Sequence, residues 1–396
     1  MITNLRENFN KSISDEKYQK VLSYFDEKYQ AKVGFRIAET PVFIPRDLGE
    51  KLVDVSNHII DLIVAPDFQE KTQHLVPDEF YVPNETTYPH FLSLDYAVSK
   101  DTAGNIEPQL IEMQGFPSLF MFLDALGDAY RNAYEIDKTC SHLLGGIDKK
   151  DYHAKLKDII LGGHSIKHVV LVDYQPHLQK TSIDFDLTDK VLGIKTVDYE
   201  DIIKEGKQLF YVEGGQKIQI KRIYNRLIFD ELVKDPAILQ KLDIREELEV
   251  EWVSHPNWFF RVSKSLLPFI DHPYAPSSFI LDRNNCPSDL ENYVLKPLHS
   301  FAGQGVIIDV TQADVDAVED PDNYILQKKI TYEPVVETPE GPIKCEIRLL
   351  YAWDPKAGRP TLLTNLTRLS QGMIGVSQNK SAAWSGGSVG FFEKMD

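Results

Sequence analysis

The fold of this chain is decided by the stretch from Tyr293 to Ile308, which reads YVLKPLHSFAGQGVII. The pattern predicts a strand, a loop that contains two glycines, and a second strand. Lys296 lies at the end of the first strand, beside the backbone N–H groups of that loop. Loop amides and a lysine ammonium together bind phosphate oxygens, so the stretch favours a triphosphate site. The alternative is an ordinary β-hairpin with a surface lysine.

Composition places the chain among globular proteins and narrows its partners. It has 396 residues, of which 42% are hydrophobic and 26% charged, and its formal net charge is −17. We expect two or three domains, and the acidic balance argues against nucleic acid or an anionic membrane as the main partner. The first residues lack the apolar core of a signal peptide, and no apolar run is long enough to span a membrane.

The three cysteines, Cys140, Cys286 and Cys345, lie far apart in the sequence. Their number and spacing suit neither a disulfide framework nor a zinc motif, and the histidines show no spacing typical of metal ligands. We therefore expect a cytoplasmic protein, because thiols stay reduced there. The oligomeric state is left open.

Four segments of the chain differ in their pattern. Residues 1–90 are helix-rich, residues 91–150 begin with two strand-like runs, residues 151–255 alternate β and α, and residues 256–396 are α+β with hairpins. The third segment predicts a small open α/β sheet, Rossmann-like in shape but without the dinucleotide fingerprint. Helical spacing predicts helices that include residues 16–28, 48–64, 120–134 and 236–249.

Two facing carboxylates are predicted in the second segment. Side chains alternate faces along a strand, so Glu112 and Gln114 share one face. If the runs at 91–99 and 109–114 form a hairpin, Asp95 lies roughly opposite Glu112, and the two repel unless a cation lies between them. Two carboxylates and an amide oxygen are hard ligands that suit Mg²⁺. The alternative is a solvated sheet face.

A later run, residues 344–351, has a second polar face. Lys344, Glu346 and Arg348 share one face of this predicted strand, and apolar residues share the other. The polar face is either an exposed ladder of salt bridges or the wall of a phosphate pocket, with Arg348 on the γ-phosphate.

The order of these motifs resembles the ATP-grasp superfamily over roughly residues 90–390. In chain order the resemblance identifies a first phosphate-reaching lysine, a second lysine with a flexible glycine loop, a hinge whose backbone clamps adenine, and arginines near the transferred phosphoryl group. The matching residues are Lys264; Lys296, Ser300, Gly303 and Gly305; Gln327, Lys328 and Ile330; and Arg348 and Arg368.

One departure from the usual order resembles the circularly permuted ATP-grasp enzymes, such as glutathionylspermidine synthase-like proteins. Their metal-binding strand lies near the N-terminus, as residues 110–114 do here, with Asp95 on the strand before it. Gln114 stands where those enzymes have asparagine, and Ser93 stands where they have arginine. The expected fold is a circularly permuted ATP-grasp fold, of class α+β or α/β, with a Rossmann-like domain preceding the ATP-binding domain.

The resemblance implies an ATP- and Mg²⁺-dependent carboxylate–amine ligase. ATP would phosphorylate a substrate carboxylate, and an amine would attack the acyl phosphate. Asp95, Glu112 and Gln114 would hold Mg²⁺, while Lys264 and Lys296 would hold the α- and β-phosphates. An amino acid, a short peptide or a polyamine would each fit as substrate.

Three further roles follow from the same resemblance. Arg348 or Arg368 would stabilise the transferring phosphoryl group. The loop at 300–305 would close over the site as a lid. Arg226 would anchor a substrate carboxylate at the domain cleft, or else it is a surface arginine at a strand end.

Two other functions stay open at this point. One is a degenerate module that binds nucleotide without ligation, which the substitutions at Ser93 and Gln114 motivate. The other is an ATP-dependent small-molecule kinase. The G-x-S-x-G pattern at residues 386–390 is not interpreted as a hydrolase motif, because no acid and histidine follow it in the order that such enzymes require.

Overall fold

The computed structural model describes residues 1–228, 232, 236–299, 304–354, 357–372 and 382–395. No helix in these ranges is long and apolar enough to cross a membrane. The α-helices in the described ranges are α1 (Thr3–Ser12), α2 (Asp15–Tyr29), α3 (Arg46–Ile63), α4 (Phe68–Lys71), α5 (Phe120–Ala133), α6 (Lys149–Leu161), α7 (Ser182–Leu187), α8 (Pro236–Lys241), α9 (Asn257–Arg261) and α10 (Gln312–Asp316).

Strands of the same ranges form several separate sheets. Their bounds are β1 (Val42–Ile44), β2 (Phe91–Lys100), β3 (Ile106–Gln114), β4 (Cys140–Ser141), β5 (Val169–Asp173), β6 (Lys195–Asp198), β7 (Ile203–Glu205), β8 (Gln208–Glu213), β9 (Gln216–Ile220), β10 (Arg222–Asn225), β11 (Glu251–Val253), β12 (Ser278–Ile280), β13 (Tyr293–Pro297), β14 (Ile307–Ile308), β15 (Tyr324–Lys328), β16 (Pro334–Thr338), β17 (Gly341–Ala352), β18 (Thr361–Ser370), β19 (Gly386–Ser388) and β20 (Gly390–Glu393).

The central sheet is antiparallel and joins strands from both halves of the chain. Its order is β19-β18-β17-β2-β3, and β16 pairs with the first part of β17. Its two faces pack against different helices. Leu94, Ile347 and Leu349 lie in one apolar core with residues of α3, whereas Leu350 and Leu366 lie in another with residues of α5. The sheet is therefore enclosed on both sides, and burial of these two faces is the main driving force for the arrangement.

The third segment forms a four-stranded parallel sheet, in the order β11-β10-β5-β6. The buried run Val169–Asp173 is one of its two central strands, as expected for a strand that is covered on both faces. The open α/β sheet that the sequence predicted is thus observed. The strands β7, β8 and β9 form a small antiparallel sheet beside it.

The stretch at 293–308 contains the two predicted strands. β13 and β14 pair antiparallel, with Val294 opposite Ile308 and Leu295 opposite Ile307. They belong to a second antiparallel sheet, in the order β12-β15-β13-β14. This small sheet carries Lys296 towards the central sheet.

The helix-rich first segment is joined to the end of the chain. β1 pairs in parallel with β20, with Phe43 opposite Phe391, and β4 pairs with the other side of β20. Residues 1–90 therefore do not form a separate unit in this structure, although they contain the predicted helices α2 and α3.

One predicted helix is shorter than expected. The spacing predicted a helix over residues 236–249, but α8 ends at Lys241. The Asp243 carboxylate accepts a hydrogen bond from the backbone N–H of Arg245 at 3.0 Å, which closes a turn. Such local side-chain bonds compete with helical hydrogen bonds, and propensity alone does not reveal the outcome.

Candidate functional site

Charged side chains meet on one face of the central sheet, beyond the part that α5 covers. This sheet-face cluster consists of Asp95 on β2, Glu112 on β3, Glu346 and Arg348 on β17, and Arg368 on β18. Asp95 is paired with Glu112 on one side and with Arg348 on the other, and Glu346 is paired with Arg368. Side chains at directly paired positions share a face, so strand register brings the cluster together. The predicted pairing of Asp95 with Glu112 is confirmed.

Asp95 is the centre of the cluster. Its side chain is 1% exposed and accepts two hydrogen bonds from Arg348, Nε to Oδ1 at 2.6 Å and Nη2 to Oδ2 at 2.6 Å. Arg368 Nη2 donates to Oδ2 at 2.5 Å. Arg348 also donates to the Ser118 hydroxyl at 3.3 Å. A buried carboxylate needs such pairing, and the bidentate geometry is the strongest that arginine offers.

Glu346 is a third carboxylate of the cluster, and the sequence did not identify it as a ligand. It forms an ion pair with Arg368, and the Tyr332 hydroxyl donates to its other oxygen at 3.2 Å. Burial raises the pKa of Glu346 to about 7, against the opposing effect of Arg368. Burial acts to lower the pKa of Arg368, but Glu346 and Asp95 outweigh it and raise that pKa above its ordinary value.

The two predicted phosphate lysines lie beside Glu112. Lys296 donates to the backbone carbonyl of Ile111 at 3.3 Å and to the side-chain oxygen of Gln327. Burial lowers the pKa of Lys296 to about 8, and Glu112 opposes that shift. Burial also lowers the pKa of Lys264, again with Glu112 in opposition. An anion bound beside them would favour the charged form of both ammonium groups.

A small cavity opens beside Lys264. Its walls include Glu112, Gln114, Lys264, Leu298 and His299. Burial lowers the pKa of His299 to about 4, and the positive charge of Lys264 contributes. The cavity therefore combines a lysine, a carboxylate and a neutral imidazole at the junction of the two antiparallel sheets.

The glycine loop is described only in part. Gly305 has a φ of +71°, and a Cβ at this position would lie 2.9 Å from Cγ of Pro297, so the backbone there requires glycine. Ser300 and Gly303, which were predicted to bind phosphate, lie outside the described residues. The closure of this loop as a lid stays a prediction.

The predicted adenine hinge comprises Gln327 and Lys328 of β15 and Ile330 after it, and its role stays a prediction. The side chain of Gln327 is 1% exposed and lies between the sheets, where it contacts Lys296 and donates to the Leu110 carbonyl at 3.3 Å. The backbone N–H of Lys328 donates to the Ser277 carbonyl at 2.8 Å, so that amide is not available to a base. Ile330 follows the strand in the loop after β15, half-buried, and its predicted role is untested.

Arg226 is not a surface arginine at a strand end. It is 6% exposed and donates to the buried Asp184 carboxylate at 3.0 Å. Asp184 also accepts the backbone N–H groups of Met121 and Phe122, at 2.9 and 3.0 Å. This pair fixes the first turn of α5, which is a structural explanation for Arg226. Its predicted role as a carboxylate anchor would require Arg226 to exchange Asp184 for a substrate.

The carboxylate and amide oxygens of Asp95, Glu112 and Gln114 suit a hard cation, but hydrogen bonds within the protein already occupy them to different degrees. Glu112 is 25% exposed, and its polar contacts with described side chains are a 3.3 Å hydrogen bond from the Gln114 amide and a 3.9 Å ion pair with Arg348. Both oxygens of Asp95 are bound by arginine. Among the described residues, a group of three His, Cys, Asp or Glu ligands within 4.8 Å of one another is found at Asp124, Asp128 and His142 and not in this cluster. The residues fit Mg²⁺ if Asp95 is released from its arginines.

Sequence reasoning missed several residues of the site. Two of them, Tyr332 and Ser118, lie outside every predicted motif. They belong to the site because they contact Glu346 and Arg348, respectively. Glu346 had a signal, since it shares a strand face with Arg348. Glu346 shares Arg368 with Asp95, which depends on the pairing of β17 with β2, and strand periodicity does not specify which strands become neighbours.

Comparisons with known proteins bear on the fold. A glutathione synthetase-like effector from Globodera pallida, solved in its apo form, matches with a TM-score of 0.55 and 12% sequence identity over 96% of each chain. A candidate gamma-glutamylcysteine synthetase from Methylobacillus flagellatus KT matches with a TM-score of 0.36 and 12% identity, over 81% of this chain and 83% of that chain, which is too low a score for any conclusion. No family model and no curated protein sequence matches the chain. The chain thus shares its fold, end to end, with the effector.

Proposed function

We propose that this protein is an ATP- and Mg²⁺-dependent carboxylate–amine ligase of the circularly permuted ATP-grasp type, and that it acts through an acyl phosphate. The observation that carries the proposal is the convergence of the sheet-face cluster with Lys264 and Lys296. Pairing of the upstream strands β2 and β3 with β17 supports the permuted order. The fold shared with a glutathione synthetase-like effector is consistent with ligation of an amino acid or peptide substrate.

The lysines are suited to hold the α- and β-phosphates of ATP. Both are buried, at 7% and 8% exposure, so a phosphate placed between them would be shielded from water. Electrostatic attraction is stronger in such a site than in bulk solvent. Lys296 would exchange the Gln327 side chain for phosphate oxygens, while its backbone stays fixed in β13.

The arginines are suited to stabilise charge on the transferring phosphoryl group. Arg348 and Arg368 both point at the Asp95 carboxylate, which occupies the position of an anion between them. Asp95, Glu112 and Gln114 would hold Mg²⁺, which when bound supplies charge neutralisation for the phosphates. Release of Asp95 would turn the arginine N–H groups towards the acyl phosphate oxygens, where donors placed in advance lower the barrier most.

A nucleotide-binding module without ligase activity is the second candidate. The observation that favours it is the saturation of Asp95 by two arginines, which competes with metal binding. Two substitutions favour the same candidate: Gln114 stands where the permuted enzymes have asparagine, and Ser93 stands where they have arginine. This candidate predicts Mg²⁺-independent nucleotide binding and no turnover with any carboxylate and amine.

The test is nucleotide binding followed by turnover. Thermal shift with ATP, with and without Mg²⁺, should show a rise in melting temperature that needs Mg²⁺, because a ligand that binds the folded state stabilises it. ADP and phosphate release should then depend on an amino acid or peptide and an amine. Lys296→Met and Glu112→Gln should lose both signals. Lys195→Met, which removes a half-exposed lysine of the parallel-sheet segment, should retain them.

The outcomes separate the candidates. Binding without substrate-dependent phosphate release would favour the module without ligase activity, and a stable phosphorylated product would indicate a kinase. Absence of any shift with ATP, or full turnover by Lys296→Met, would reject the proposed site.

A further inference from the structure

A second charged cluster lies outside the proposed ligase site and is carried by α5. This α5 cluster consists of Asp124 and Asp128 on α5, His142 after β4, and Lys149 and His153 on α6. Asp124 is 1% exposed and accepts hydrogen bonds or ion pairs from His153 Nε2 at 2.7 Å and from Lys149 Nζ at 3.0 Å. Lys149 also contacts Asp128. Asp124 and Asp128 are four residues apart on one helix, an arrangement that is unfavourable unless a cation lies between them.

Part of this cluster is buried without a partner. Among the described residues, neither ring nitrogen of His142 has a hydrogen-bond partner, and neither does Oδ1 of Asp124. His142 is 5% exposed, and its Nε2 lies 3.8 Å from that Oδ1, which is too far for a hydrogen bond. Unsatisfied buried polar groups are costly and call for an explanation such as an ion.

His142 is held in place by contacts with β18 and α5. Its backbone carbonyl accepts from the side chains of Thr364 and Asn365, at 3.0 and 3.3 Å, so β18 holds it in place. Its ring lies against Gly127 of α5, where a Cβ would come within 2.2 Å of the ring. Glycine inside a helix costs about 1 kcal/mol relative to alanine, and here it lets the imidazole reach the carboxylates.

We propose that Asp124, Asp128 and His142 form a binding site for a divalent transition metal ion, with Zn²⁺ as the best match. Their ligand atoms lie within 4.8 Å of one another. Ligands about 2.0–2.2 Å from one zinc ion lie roughly 3.5 Å apart, so small shifts would complete the site. One imidazole and two carboxylates suit zinc. The ion would satisfy His142 Nε2 and Asp124 Oδ1 together.

Two neighbours fit this assignment. The ammonium of Lys149 contacts Oδ2 of both carboxylates in this structure, so its positive charge lies beside the position of the ion and competes with it. The Lys149 side chain is 37% exposed at the first residue of α6, so it can turn out to solvent. His153 bonds the second oxygen of Asp124 and would orient that carboxylate, as outer hydrogen bonds do at metal sites.

Zinc titration of the chelator-treated protein tests the proposal. Calorimetry with Zn²⁺, and absorption spectroscopy with Co²⁺, should show one site in the wild type. His142→Ala and Asp128→Asn should each weaken binding by about 10-fold or more. Lys149→Met should bind severalfold more tightly, because the competing ammonium is gone. His177→Ala, which removes an exposed histidine elsewhere, should bind as the wild type does.

Three results would overturn the proposal. They are no saturable binding by the wild type, binding that appears only in Lys149→Met, and unchanged affinity in both His142→Ala and Asp128→Asn. Asp128 is half-buried on the helix surface, so its variant keeps the test valid if His142→Ala fails to fold.

Discussion

The sheet-face cluster and the α5 cluster contain similar charges but are neutralised in different ways. In the first cluster, the guanidinium groups of Arg348 and Arg368 bind Asp95 through three short hydrogen bonds. In the second, Asp124 relies on a lysine and a histidine and keeps one oxygen without a partner among the described residues. Arginine stays charged at any ordinary pH and fits a carboxylate in two places, whereas lysine and histidine are single-point donors. The comparison indicates that two arginines satisfy both oxygens of a buried carboxylate, whereas a lysine and a histidine satisfy only one of them.

The largest expected effect comes from breaking the first cluster. Arg348→Met would leave the buried Asp95 with one arginine, and removal of one partner of a buried ion pair costs about 3–5 kcal/mol. Urea unfolding should show a lower midpoint with an unchanged slope. Arg348→Lys keeps the charge but loses the bidentate hydrogen bond, so its urea midpoint should lie between those of Arg348→Met and the wild type. A loss below 1 kcal/mol would mean that the cluster does not depend on this pair.

The next effect sharpens the description of the second cluster. Gly127→Ala should destabilise the protein by about 1–3 kcal/mol, because its methyl group would overlap the His142 ring. Helix propensity alone predicts the opposite sign, with about 1 kcal/mol of stabilisation. Chemical unfolding of Gly127→Ala, His142→Ala and the double variant gives the coupling energy. If the alanine remains destabilising without the imidazole, the ring is not the cause.

A pH experiment tests how burial affects Lys296 in the proposed ligase site. Between about pH 8 and 10.5 the unfolded chain binds a proton on this lysine that the folded chain has released. Stability should therefore rise with pH in that window, by at most about 1.4 kcal/mol per unit, and the variant Lys296→Met should lose that rise. The free energy of unfolding at several pH values across this window, with one value below it as reference, is the measurement. The same slope in wild type and variant would contradict the prediction.

The smallest expected effect comes from an exposed ion pair, and it gives a reference value for the stability changes predicted above. Arg359 pairs with Asp61 at the surface, where the side chains are 46% and 64% exposed. Water and salt screen such a pair, so Arg359→Met should change the free energy of unfolding by less than about 1 kcal/mol. Thermal unfolding at low and high salt measures it. A cost equal to that of Arg348→Met would show that burial does not explain the difference.

Much of the proposed ligase site follows from local patterns. Period-two alternation and one hairpin were enough to predict that Asp95 faces Glu112, because both depend on residues fewer than 20 apart. The two paired strands β13 and β14 around Lys296 followed from similar information. These features are specified within single hairpins, where turn position fixes register.

The remaining contacts depend on distant parts of the chain. Arg348 and Asp95 are 253 residues apart, and Arg226 and Asp184 meet through tertiary packing alone. The α5 cluster combines residues of α5, of the segment after β4 and of α6, so no sequence spacing reveals it. The acids at 124 and 128, one turn apart, were the available hint.

The joining of β2 to β17 has a consequence for synthesis of the chain. The first strands leave the ribosome long before their partner, since 253 residues separate Asp95 from Arg348. At roughly 5–20 residues per second, the nascent chain waits about 12–50 seconds with the edge of β2 that will join β17 unpaired. Long-range pairings of this kind also fold slowly. We expect release of a truncated chain that ends before β17 to yield aggregates, and nascent chains to require a chaperone during that interval.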